Sequence, residues 1–95
     1  MKLISITESP KTDKKFVAVF ENEGRKKSVH FGAAGMQDYT ITHDKEQRAR
    51  YRARHAKDLK TQDPTRAGYL SYYILWGDST SLRTNITNYK KMFNL

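Results

Sequence analysis

The sequence predicts an α+β fold, an amino-terminal three-stranded antiparallel meander followed by three α-helices in a single domain, residues 1–95. Three observations lead there. The first third of the chain is rich in strand formers between short turn signals. Beyond residue 42 the apolar period changes from two to about 3.6. A chain of 95 residues suits one core, since two would leave too little apolar surface for either.

The strands come first. Lys2 to Glu8 partly alternates, and Ser9-Pro10-Lys11-Thr12-Asp13 reads as a turn. Phe16 to Phe20 is the clearest strand, closed by Asn22-Glu23-Gly24, a hairpin signal. Lys26 to Phe31 returns with Val29 and Phe31 on one face, Ser28 and His30 on the other. This hairpin sheet, residues 1–33, needs one face covered, and the helices that follow can cover it. Gly32 to Tyr39 is a loop of small residues, a tight crossover from sheet to helix.

A first helix is expected over 42–57, with Thr42 or Asp44 as cap and Gln47 completing a box-like pattern. Ala49, Ala53 and Ala56 share a narrow face, which predicts close approach to the sheet or to a neighbouring helix. A core helix over 64–76 starts from Asp63 as cap and Pro64 at the first helical position. It carries Leu70, Tyr73, Ile74 and Trp76, and Gly77 ends it. A last helix over 79–93 is capped by Ser79, with Leu82, Ile86, Tyr89 and Phe93 as its apolar stripe.

Composition narrows the function classes. Hydrophobic residues at 37% support a modest core, and dimerisation is one way for so short a chain to bury more, so a homodimer is one expectation. The absence of cysteine excludes disulfides, thiolate metal sites and a thiol nucleophile. No apolar run approaches the roughly 18 residues of a membrane span, and no leader pattern opens the chain. A soluble intracellular protein without a membrane partner is expected. His30, His43 and His55 lack ligand spacing, so neither metal nor cofactor is expected. No serine sits in a nucleophile-elbow context, and an enzyme is not expected. A hydrolase would need His30, Asp38 and a hydroxyl in one cleft.

Net charge is +8, and its distribution is uneven. Residues 43–60 hold seven Lys or Arg against three Asp or Glu, so half the excess lies in eighteen positions. Such an excess points to an anionic partner, nucleic acid first and an acidic membrane surface or acidic protein second. The expected contact residues on this segment are Lys45, Arg48, Arg50, Tyr51, Arg52, Arg54, His55, Lys57 and Lys60. Lys26 and Lys27 at the hairpin end extend the positive surface. Arginine grips phosphate with a planar fork, and Tyr51 among arginines can stack on a base. The alternative is a solvated helix whose arginines pair with Asp44, Glu46 and carboxylates elsewhere in the chain, but three acids cannot neutralise seven bases locally. Gly32-Ala33-Ala34-Gly35 lacks the Gly-Lys-Ser/Thr of a phosphate-binding P-loop. Tyr69, Tyr72, Tyr73 and Trp76 fall at helical spacing and are read as core.

The block from His30 to Thr40, then Asp44-Lys45-Glu46 and Arg50-Tyr51-x-x-Arg54-His55, is followed by Asp63-Pro64-x-x-Ala67-Gly68 and Ile74-Leu75-Trp76-Gly77. Over roughly residues 28–77 this ordered set resembles a family of small basic proteins of large double-stranded-DNA viruses of eukaryotes, the marseilleviruses and their relatives. The resemblance implies a viral source, an α+β fold and a DNA-genome setting. DNA is thereby favoured over RNA, with the viral factory, the host nucleus or the virion as location. It brings no functional residue with it. The expectation is a non-catalytic DNA-binding protein that contacts phosphate backbone; the alternative is a virion structural or interaction module docking an acidic partner.

Overall fold

The computed structural model describes all residues 1–95 and is α+β, with the strands first and the helices after them. Strands β1 (Lys2–Glu8), β2 (Lys14–Asn22) and β3 (Arg25–Ala33) form an antiparallel sheet in the order β1-β2-β3. The β2–β3 connection has two residues, Glu23 and Gly24, with φ of 53° and 80°. Positive φ at both centres matches the right-handed twist of the flanking strands, which is why a glycine closes this turn. The shift of register between Leu3 and Ser5 bulges β1 at Ile4, on an outer strand of the sheet. A bulge there bends the free edge away from further pairing.

Register places the apolar residues in rows across one face. Leu3 lies beside Phe20, Ile6 and Val29 flank Ala18, and Phe16 lies beside Phe31. All belong to the core or pack against it. Val17, Val19, Ser28 and His30 occupy the other face and are half-buried or exposed. There His30 Nδ1 meets Ser9 Oγ at 2.7 Å.

Gly32 and Gly35 both have φ near +80°. Gly35 is the third residue of a turn closed by Met36 N–H donating to Ala33 O, a position that requires positive φ. The expected loop then contains one helical turn, α1 (Tyr39–Thr42). Asp38 caps it, accepting from Thr40 N, and is only 2% exposed. Its second oxygen takes a 2.6 Å salt bridge from Lys15, so the buried carboxylate is charge-balanced by a lysine of β2.

Helix α2 (Lys45–His55) starts from Asp44, whose carboxylate accepts from Glu46 N and Gln47 N. It tightens into a 3₁₀ segment, Ala56–Thr61, and so ends two residues before the expected Lys57. The next helix also starts later than expected. Asp63 Oδ1 accepts from Thr65 N and Oγ1, and Arg66 N–H donates to Asp63 O. That side-chain turn consumes Pro64 and Thr65, and α3 begins at Ala67 (Ala67–Leu70). Its continuation, Ser71–Leu75, is a π turn in which Trp76 N–H donates to Ser71 O at 3.1 Å.

Ser81, not Ser79, caps α4 (Leu82–Met92), with Thr84 N as donor. The Leu82, Ile86, Tyr89 and Phe93 stripe does pack on the core. Buried Asn85 joins α4 to the preceding loop, donating to Ile74 O and Ser79 O and accepting from Ser79 N. Tyr69, Tyr73, Tyr89 and Phe93 form an aromatic cluster with ring centroids 4.8–6.0 Å apart. No buried side-chain polar atom lacks a partner. No helix is long and apolar enough to cross a membrane.

Candidate nucleic-acid interface

The orientation of α2 is the reverse of the one expected from its alanines. Ala49, Ala53 and Ala56 are exposed, while Arg48, Tyr51, Arg52 and His55 turn toward the body. The reason is area: one buried tyrosine ring removes far more apolar surface from water than an alanine methyl. Tyr51 lies 4.3 Å from Trp76 at 9° and 4.2 Å from His55 at 23°, centroid to centroid. Two near-parallel neighbours at those distances cannot share one face. Tyr51 is therefore the middle ring of a three-ring column.

The two arginines on this side are moorings. Arg48 Nε donates to Gly77 O at 2.6 Å, and its terminal nitrogen pairs with Asp78. Arg52 pairs with the same carboxylate at 3.1 Å, and its guanidinium lies 4.6 Å from the Tyr72 ring centre. Arginine stems cover apolar surface while the head stays wet, which lets such residues serve as inward groups. Their side chains are 22% and 24% exposed. His55 Nδ1 is 3.0 Å from Asp58 Oδ2. Burial pushes the Tyr51 hydroxyl pKa upward, so its ring stays neutral in the column.

The remaining cations are open to solvent. Arg50, Arg54 and Lys57 are exposed, form no salt bridge, and follow one another at i, i+4 and i+7. Lys45 and Lys60 are exposed at either end of this stretch. Lys26 and Lys27 lie elsewhere: they pair with Glu21 and Phe20 near the hairpin tip, and Lys27 Nζ donates to Thr65. Six strand positions separate Lys27 from Ala33, about 20 Å. The two lysines are thus not gathered with α2.

Between α2, the Gly32–Gly35 loop and α3 lies a cleft of ≈ 880 Å³. Lys14, Arg50 and Arg54 stand on its walls, and Phe31, Leu75 and Trp76 supply its apolar surface. Lys15 also lines it but is committed to Asp38. This cleft is not legible in the sequence, because Lys14 and Arg50 are brought together only by the crossover loop. Gly32 is required there, since a Cβ would stand 2.9 Å from Leu75 Cδ1 and 3.2 Å from Lys15 Cβ. His30 and Asp38 have separate partners, Ser9 and Lys15 with Thr40. The chain holds no group of three or more His, Asp or Glu side chains placed to hold a metal ion.

Residues 4–55, from β1 to the end of α2, match a family of unknown function (DUF5754). The chain belongs to this family. In this member the matched region contains the sheet from Ile4 onward, the glycine loop and every basic residue of α2, while the Trp76 wall of the cleft lies outside it. Neither a curated protein nor a solved structure matches the chain.

Proposed function

We propose that the protein is a non-catalytic nucleic-acid-binding module that holds the phosphate backbone of DNA against the exposed basic stripe of α2 and the turn after it. The observation that carries this is the stripe Arg50, Arg54 and Lys57, exposed and without a carboxylate partner. Successive members lie about 5–6 Å apart along the helix axis, so the stripe can follow a phosphate chain. Exposed Ala49 and Ala53 keep the surface beside it low. Internally paired Arg48 and Arg52 hold the helix in place and stay out of the contact. Support for DNA over RNA comes from the viral resemblance of residues 28–77, and the role is placed in the handling of a viral DNA genome.

The test is fluorescence polarisation of labelled DNA with the full chain and with an Arg50→Ala/Arg54→Ala variant. Binding that weakens with salt, and weakens further in the variant, is expected. Absence of binding to DNA and RNA at low salt would refute the proposal.

A further inference from the structure

We infer that the cleft beside the stripe is a nucleotide site, taking one unstacked base and its phosphate; this rests on the phosphate-binding role proposed for α2. The cleft volume of ≈ 880 Å³ falls within the range of ligand pockets, about 300–1,000 Å³. A nucleotide needs a cationic rim for phosphate and a planar apolar surface for its ring. Both are present: the cations stand on α2 and at the start of β2, and the rings stand on α2 and just after the π turn. Lys14, Arg50 and Arg54 give three cations, none in a salt bridge. Arg50 and Arg54 stand one helical turn apart, about 6 Å, across from the β2 end that carries Lys14.

The ring surface is the aromatic column. Trp76, Tyr51 and His55 all line the cleft, and His55 is the terminal ring. Tyr51 covers one face of the imidazole, no aromatic ring covers the other, and the side chain is 33% exposed. Asp58 fixes the ring at 3.0 Å, so the stacking surface is ordered before a base arrives. A base added to His55 extends the column to four rings. Stacking of this kind accepts any base, because each has a π-face. Bases in an intact duplex are already stacked on each other and cannot enter. The site therefore selects unpaired strands or free nucleotides over duplex, although the exposed stripe alone would bind either.

Trp76 is the only tryptophan, so its emission reports on the column. The full chain is titrated with a thymidine oligonucleotide of about 8 nucleotides, a duplex of the same length, and thymidine monophosphate. The single strand is expected to bind about tenfold more tightly than the duplex and to change Trp76 emission. His55→Ala should abolish that preference and leave the salt dependence in place. His55→Phe keeps a ring, and should retain the preference even though it loses Asp58. Equal affinity for strand and duplex, unchanged by His55→Ala, overturns the nucleotide site while the phosphate stripe stands. Failure of every nucleic acid to bind removes both. Monophosphate binding as tight as the strand upholds the cleft and identifies a free nucleotide as its occupant.

Discussion

The inverted helix makes a quantitative prediction about salt. Each phosphate neutralised on duplex DNA contributes about −0.9 to the slope of log affinity against log salt. The exposed cations of the stripe number three, Arg50, Arg54 and Lys57, or five if Lys45 and Lys60 also reach phosphate. The slope for the unmodified protein should then lie between about −2.7 and −4.5. Between roughly 50 and 200 mM salt this is a loss of about 40-fold to 500-fold in affinity. Arg50→Ala/Arg54→Ala removes two contacts and should make the slope shallower by about 1.8, whatever the starting count. Arg48→Ala/Arg52→Ala removes the same charge from the same helix but should leave the slope within error. Its effect belongs to stability, about 1–2 kcal/mol from the lost Gly77 hydrogen bond and the Tyr72 contact. Polarisation titrations at four salt concentrations, with urea denaturation alongside, separate the two pairs. Equal slopes for the two double variants would refute the assignment, since both pairs would then be equally engaged.

Three further outcomes follow from the packing. Gly77→Ala should cost about 3 kcal/mol in urea unfolding, because its Cβ would meet Tyr73 O at 2.1 Å and Asn85 Cγ at 2.9 Å; an unchanged midpoint would contradict the geometry. Lys15→Met leaves Asp38 buried without its cation and should cost about 3 kcal/mol, with Asp38→Asn in the same background recovering part of it; no recovery would mean that Lys15 acts by packing alone. Tyr51, Tyr73 and Tyr89 all have pKa values raised, chiefly by burial. Their contribution to stability is complete below the ordinary tyrosine value of about 10 and is lost as pH rises beyond it. Phenolate absorbance should therefore show a late phase that coincides with loss of circular dichroism, and a single phase completed in the folded protein would count against this.

The sheet and the amphipathic helix α4 are legible for different reasons. Phe16 to Phe20 is an unbroken run of apolar strand formers between turn signals, while Leu82, Ile86, Tyr89 and Phe93 repeat at helical spacing. Helix starts were less legible, because side chains that cap a helix also close turns. Asp63 does the second and Asp44 the first, and nothing local distinguishes them. The face that α2 buries is not set by apolarity alone. Arg48, Tyr51, Arg52 and His55 form a stripe at i, i+3, i+4 and i+7, and each has an apolar stem or ring with a polar end. In this chain that pattern marks the side of α2 docked on Trp76 and Tyr72. The cleft lay beyond such patterns, since β2, the glycine loop and α2 meet only in three dimensions.

The π turn at Ser71–Leu75 has a consequence for how this chain can vary in length. A π turn amounts to one residue more than a regular helix needs between the same two ends. Removing a single residue there would restore ordinary helical bonding and leave both ends where they are. Trp76 would stay against Tyr51, and Gly77 would still offer its carbonyl to Arg48. The same deletion inside regular α2 would instead turn everything after it by about 100°. The π turn is thus the place where this chain can lose a residue and keep α2 moored to the body.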